Sequence, residues 1–227
     1  ECPCTRSVMK SVDQLGQQHT FELPPKRIVS LVPSITELLC DLGLRDRVVG
    51  CTKFCVHPKG LKDQVTIIGG TKSVKHLKVV DCQPDIIIAN KEENRKEDIE
   101  ALQDLAPIWT SDIATLNDSE ELITSLGQIF DVNEKADDIN QRIKSVVSKF
   151  PRTSRSVAYL IWQEPYMTVG HDTFIHDMLG HLGLTNVYGD MTRYPEVSVE
   201  DLRKRSPDYI SGWRVLLMVW IATDAFR

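Results

Sequence analysis

One pattern constrains this chain more than any other: short β-rich runs pass at once into amphipathic helical segments, and the unit recurs. "RIVSLV" (27–32) leads into "PSITELLCDLGL" (33–44). There Ile35, Leu38, Leu39 and Leu42 share a helical face, Ser34 and Glu37 have capping-box spacing, and Gly43 ends the helix. "RVVG" (47–50) and "VTIIG" (65–69) read as short strands, "VKHLKVVDC" (74–82) as a helix and "PDIIIAN" (84–90) as a fully buried strand. Asn90 is expected to cap the charged helix "EENRKEDIEALQDL", a solvated face with Glu92 and Lys96 paired four apart. "PIWTS" (107–111) is the next strand.

Two helical segments, 118–130 and 133–150, then follow with no strand between them. Alternation resumes with a strand at 155–162, a helix at 172–184, a short strand at 186–188, a helix at 197–206 and a strand at 207–211. Such alternation predicts an α/β protein with parallel sheets covered on both faces. At 1.5 Å per residue the 133–150 helix is roughly 26 Å long and divides two such units. The expected organisation is an N-terminal extension and hairpin (1–25, turning at Leu15-Gly16), an N-terminal lobe (26–132), the connecting helix (133–150) and a C-terminal lobe (151–227). Ligands of such sheets bind beyond the carboxyl ends of the strands, so two facing lobes predict a cleft between their rims.

Composition excludes several classes. A net charge of −5 with scattered basic residues argues against nucleic acid as a partner. No run of eighteen apolar residues marks a membrane span; "WRVLLMVWIA" (213–222) is too short and fits a buried strand or helix. The sequence opens at Glu1 without a charged and apolar leader, so a signal peptide is expected to be absent or already removed. G-x-G-x-x-G, Walker A and G-x-S-x-G motifs are missing, which argues against nucleotide cradling and serine catalysis. Six cysteines in 227 residues make a poor disulfide framework. His171, His176 and His181 recur at five-residue steps, which spreads them around a helix.

The predicted rims carry Phe54, Trp162, Tyr166 and Tyr194 as faces and Lys53, Lys72, Asn90, Glu92, His171 and Arg193 as edges. Helix N-termini at Ser34, Asn90 and Asp172 would add backbone N–H donors. "CTKFCVHP" (51–58) offers Cys51, Cys55 and His57 as metal ligands, but a fourth is not evident and the spacing fits no standard zinc finger. The pair also lacks the C-x-x-C spacing of thiol-redox motifs. The segment reads as cleft wall, with direct zinc or iron binding as the alternative.

Four stretches, "RIVSLVPSITELLCDLGL…RVVGCTKFCVHP", "GGTK…QPDIIIANKEEN", "YMTVGHDTFIHDMLGHLGLTNVY" and "TRYPEVSVEDLRKRSPDYI", resemble the helical-backbone metal-chelate receptors. These are the solute-binding proteins of vitamin B12, haem and ferric-siderophore ABC importers, and the resemblance runs from about Val12 to Ile210. It implies the class III periplasmic-binding-protein fold: two Rossmann-like lobes joined by one long rigid helix. It further implies a monomer that binds a metal chelate (cobalamin-like, haem or ferric siderophore), with no intrinsic cofactor, no catalysis and an ABC permease as partner. Localisation would be periplasmic or membrane-anchored and extracytoplasmic, with the cytoplasm as the alternative. Tyr194 falls where cobalamin binders carry an aromatic against the corrin, and Thr71 falls opposite another of their aromatics. Glu200 matches an acidic permease-docking position, whereas its N-lobe counterpart is Leu77, flanked by Lys75 and Lys78. After Ile210 the run "SGWRVLLMVWIATDAFR" has no counterpart, so an incomplete C lobe is expected. A chelatase-like enzyme using His57 or His171 as a metal ligand is the reading from another class.

Overall fold

The computed structural model describes residues 8–22, 24–150 and 153–212. Cys2, Cys4 and the apolar run from Trp213 lie outside them. The described residues group into two compact units. One runs to Asp112 and includes Ser119–Gln141; the other comprises Ile113–Asp118 and the residues from Arg142 on.

The first unit opens with an antiparallel hairpin, β1 (Val8–Val12) with β2 (Gln18–Glu22). Its turn is organised by Asp13, which is 4% exposed and accepts from the N–H groups of Leu15 and Gln17 and from Thr110 in the unit's body. Then come β3 (Ile28–Ser30), α1 (Pro33–Asp41), β4 (Val48–Cys51), β5 (Thr66–Ile67), β6 (Gly69–Gly70), β7 (Ser73–Val74), α2 (His76–Asp81), β8 (Ile86–Asn90), α3 (Lys96–Glu100) and β9 (Ile108–Ser111). Strands β5-β4-β3-β8-β9 form one wholly parallel sheet in that order. Both faces are buried: Val29, Ile87 and Ile108 pack with Val79 of α2, and the alternate residues Ile28, Ile86, Ile88 and Trp109 are equally inaccessible. This is why the strands read as continuous apolar runs.

The predicted strand 65–69 is two pieces, because at Gly69 the chain turns away from the sheet into the β6–β7 hairpin. A Cβ at Gly69 would lie 2.4 Å from the Ser73 carbonyl, and its φ of +111° is open only to glycine. α1 ends as predicted, with Gly43 at φ +80°. The Gly43 and Leu44 N–H groups donate to Cys40 and Leu39 (both 2.9 Å), the pattern of a Schellman motif.

α4 (Leu116–Phe130) starts earlier than predicted because Thr115 and Asp118 cap it reciprocally: Asp118 N–H donates to Thr115 Oγ1 (3.1 Å) and Thr115 N–H to Asp118 Oδ2 (2.7 Å). α5 (Asn133–Val147) is about 22 Å long at 1.5 Å per residue. Gly127 lets α4 and α5 touch, since a Cβ there would sit 2.6 Å from Ala136.

The second unit contains β10 (Ser156–Trp162), β11 (Met167–Thr168), α6 (Phe174–His181), β12 (Thr185–Asn186), α7 (Val199–Arg205) and β13 (Tyr209–Gly212). Strand β10 is central. β13 runs parallel along one edge, while β12 and β11 share the other. The sheet is therefore mixed: β12 and β13 run parallel to β10 as predicted, while β11, two residues without a strand signal, folds back antiparallel on β10. Beneath α7, Tyr188 is buried with the Arg205 guanidinium 4.5 Å from its ring centre. Burial pushes the Tyr188 hydroxyl up to about 12. No helix among the described residues is long and apolar enough to cross a membrane.

Candidate functional site

In the first unit the chain leaves β3 toward β4 on one side and returns to place β8 on the other. Sheet order reverses there, so the carboxyl ends of β3 and β8 flank a topological switch point. Asn90, at the end of β8, does not cap a helix. Its Oδ1 accepts from the N–H groups of Glu92 (3.0 Å) and Glu93 (3.1 Å) in an Asx turn, and its Nδ2 donates to Ser111 Oγ (3.0 Å). Helix α3 begins only at Lys96, where Lys96 and Glu100 form an i,i+4 ion pair (3.6 Å).

The turn is held by Asn94, a residue with no local signal inside a charge run. Asn94 is 6% exposed. Its Nδ2 donates to the carbonyls of Leu31 (3.2 Å) and Thr71 (3.1 Å), and its Oδ1 accepts from Asn90 N–H (2.9 Å). One amide thus ties together the loops after β3, β6 and β8. The Lys72 ammonium donates to the Glu92 carbonyl across the same gap. Thr71, one of the predicted ligand contacts, is nearly buried. Ser34 is exposed but caps nothing: Pro33 occupies the first helical position, for which its ring is preset, so Val32 becomes the N-cap without a side-chain bond.

Beyond β4 the chain turns sharply, with Cys55 N–H donating to the Thr52 carbonyl (3.2 Å). The turn presents Lys53 and Phe54 to solvent, with the Lys53 ammonium 5.0 Å from the Phe54 ring centre and Phe54 51% exposed. Gly70 makes room for that ring: a Cβ there would meet Phe54 Cε2 at 3.2 Å. Cys51 and Cys55 are both buried, and Cys55 Sγ donates to Thr36 Oγ1 (3.3 Å). The neighbouring Cys55 side chain, together with burial, pushes the Cys51 thiol up. Among the described residues no group of three or more His, Cys, Asp or Glu side chains is arranged to hold a metal ion. Cys51, Cys55 and His57 therefore do not converge as a three-ligand centre.

The second unit builds its rim differently. Residues 166–171 and 191–197 are zipped together by backbone bonds: Val197 N–H to Tyr166 O (2.9 Å), Thr168 N–H to Pro195 O (3.0 Å), Gly170 N–H to Arg193 O (2.8 Å) and His171 N–H to Met191 O (2.9 Å). Gly170 is required for the zipper, since a Cβ would lie 2.4 Å from the Met191 carbonyl. Helix α6 is capped by Thr173, not Asp172: Thr173 Oγ1 accepts from His176 N–H. Asp172 instead accepts the Arg193 N–H, and that bond holds its carboxyl below the usual carboxylate range.

Four predicted contacts come together here. Tyr194 lies 5.4 Å from the Arg193 guanidinium carbon, His171 is exposed, and Tyr166 is half-buried at the start of the zipper, where it also lines an apolar groove of about 530 Å³ with Leu160, Leu202 and Ile210. Trp162 stands 61% exposed at the carboxyl end of β10. His171 has a determinate tautomer. Its Nδ1 is 2.8 Å from the Met191 carbonyl, which can only accept, so Nδ1 carries the proton and the neutral ring offers Nε2 as an acceptor or ligand.

Each rim thus sets an exposed aromatic beside a cation. The profile of the periplasmic binding protein family matches residues 28–213. The uncharacterized ABC transporter substrate-binding lipoprotein YvrC of Bacillus subtilis is 29% identical over 213 residues, covering 87% of this chain and 67% of that protein. A vitamin B12-binding protein of Vibrio parahaemolyticus is 26% identical over 194 residues, 82% of this chain and 70% of that one. Among solved structures, a protein of Staphylococcus epidermidis termed a possible iron-binding (periplasmic solute-binding) protein superposes with a TM-score of 0.74 at 25% identity, covering 83% of this chain and 77% of that one.

Proposed function

The chain belongs to the periplasmic binding protein family, and on that premise we propose that it is the substrate-binding component of an ABC importer. It captures a metal chelate, cobalamin-like, haem or a ferric siderophore, and passes it to a membrane permease without chemical turnover. The observation that carries this reading is the aromatic–cation pair on each rim, Lys53 with Phe54 and Arg193 with Tyr194. A flat macrocycle or catecholate presents apolar faces and anionic edges, and an aromatic surface beside a fixed cation meets both at once. Trp162 adds a third exposed face, Lys72 and Glu92 add polar edges, and His171 Nε2 is the group suited to approach the metal itself. The relationship to the Vibrio vitamin B12-binding protein supports the chelate class.

The permease would dock at Glu200, exposed in the first turn of α7. On the first unit the corresponding position is Leu77, 80% exposed on α2 and flanked by Lys75 and Lys78, so docking there would be apolar and basic. An extracytoplasmic location, free or lipid-anchored, accords with the lipoprotein relative, and the protein would act as a monomer.

The test is a tryptophan-fluorescence titration with cobalamin, haemin and a ferric siderophore, and with zinc as control. Saturable quenching by one chelate, with the chelate recovered unchanged, is the expected result. A response to zinc alone would overturn the chelate reading, and metal-dependent product formation would make the protein an enzyme.

A further inference from the structure

The lysines around the first rim are held in two different ways. Lys91 and Lys96, just beyond β8, are neutralised: Lys91 Nζ lies 2.6 Å from Asp112 Oδ2 and Lys96 Nζ 3.6 Å from Glu100 Oε1. Lys53, Lys62 and Lys72, on the loops beyond β4 and β6, are tethered to neutral groups instead. The Lys62 ammonium donates to the Lys53 carbonyl (3.2 Å), and the Lys72 ammonium donates to the Glu92 carbonyl. The Lys53 ammonium stands 5.0 Å from the centre of the Phe54 ring. Among the described residues none of these three forms an ion pair with a carboxylate. A carbonyl or a ring face orients an ammonium without cancelling its charge, so the three positive charges remain on offer.

Their positions are fixed as well as charged. Lys53 N–H donates to the Gly69 carbonyl (2.8 Å), and Cys55 N–H closes the turn on the Thr52 carbonyl (3.2 Å). The Lys53 and Phe54 side chains both lie against Gly70, where a Cβ would meet Phe54 Cε2 at 3.2 Å and Lys53 Cε at 3.5 Å. All three lysines are exposed. A ligand arriving here meets charge that is already ordered, which spares the cost of gathering flexible side chains. The solvated face of a charged helix behaves otherwise and pairs its lysines with its own acids, as Lys96 and Glu100 do.

We infer, on the importer reading above, that Lys53, Lys62 and Lys72 select a chelate of net negative charge with anionic oxygens on its surface. Two kinds of chelate share that chemistry. Three dianionic catecholates around ferric iron leave a trianion whose aromatic rings suit Phe54, and haem carries carboxylates along one edge of an apolar disc. Cyanocobalamin is neutral overall and the ferric trihydroxamate ferrioxamine B is cationic, so neither gains from three ammonium groups. The three lysines act on specificity: they separate chelates by charge, while Phe54 contacts any of them through an apolar face.

Tryptophan fluorescence of the full chain is titrated with a ferric tris(catecholate), haemin, haemin dimethyl ester, ferrioxamine B and cyanocobalamin. An anionic chelate should bind about tenfold tighter than ferrioxamine B and cyanocobalamin, and ~1 M salt should shrink that margin, since screening there acts beyond about 3 Å. The arms also read the source of the charge. Tightest binding of the tris(catecholate) names phenolate oxygens, and tightest binding of haemin, with loss in its ester, names carboxylates. In the triple variant Lys53→Gln, Lys62→Gln, Lys72→Gln the margin should collapse. The double variant Lys91→Gln, Lys96→Gln also removes charge from this unit and should keep the margin; an equal collapse would assign the effect to net charge and overturn the proposal. Binding of cyanocobalamin or ferrioxamine B as tightly as the anionic chelates would overturn it too, yet leave the importer reading intact. No binding of any chelate would sink both.

Discussion

The two rims solve one problem by opposite means. In the first unit, loops that leave a parallel sheet at its switch point have no strand partners, and a single buried side chain, Asn94, gathers three of them. In the second unit the loops extend the sheet's own hydrogen bonding, and residues 166–171 and 191–197 are zipped backbone to backbone around Gly170. The difference teaches where each rim is vulnerable. The first fails through one side chain, the second through one backbone approach.

The largest effect should come from Asn94→Ala. It strands the buried carbonyls of Leu31 and Thr71 and removes the acceptor for Asn90 N–H, at a cost of about 3 kcal/mol. Urea denaturation measures it, and a change below about 1 kcal/mol would mean the loops hold one another without the amide. Gly170→Ala comes next, at about 2 kcal/mol, because the new methyl must displace the Met191–Thr192 backbone. Hydrogen exchange sharpens the contrast: loss of protection should centre on Gly170, His171 and Thr168 in this variant, and on Asn90 and Leu31 in the other. Protection lost equally in both would break it.

Smaller still on stability, and informative on function, are Phe54→Ala and Trp162→Ala. Both side chains are more than half exposed, so each change should cost less than about 0.5 kcal/mol. Each should weaken chelate binding about tenfold if both rims hold the ligand. A loss confined to one variant assigns binding to that rim.

The smallest effect is acid loosening at Asp172. Its carboxyl is held low by the Arg193 N–H, so the stability it lends is fully present above the unfolded value near 3.9 and is lost as pH falls through the lower folded value. Arg193 should become mobile by NMR in that window. In Asp172→Asn the same mobility should already be present at neutral pH, and an unchanged acid transition in that variant would point to another group.

Much of this was legible in residue order. Alternating strands and helices, the both-faces-buried run Ile86–Ile88 and the Gly43 stop all follow from periods of 2 and 3.6 and from glycine's access to positive φ, which are local properties of neighbouring residues. The family resemblance was equally legible, since the matched stretches are those local units. Helix starts were less so. Ser34 and Asn90 both look like caps, yet Pro33 and the Asn90–Asn94 turn decide otherwise, because a cap works only where the backbone before it is free to be extended. The mixed second sheet escaped because the two residues of β11 carry no period to detect.

Sequence alone therefore determined the class of the fold, the order of its elements and the residue types offered at the strand ends. Tertiary structure alone decided that Asn94 holds the first rim, that Gly170 admits the second and that His171 presents Nε2. The physical reason is range. Propensity and periodicity act between residues a few positions apart, whereas Asn94 reaches the Leu31 carbonyl 63 positions away and His171 reaches the Met191 carbonyl 20 positions away. Those bonds exist only once each sheet has formed and set its own strand ends side by side.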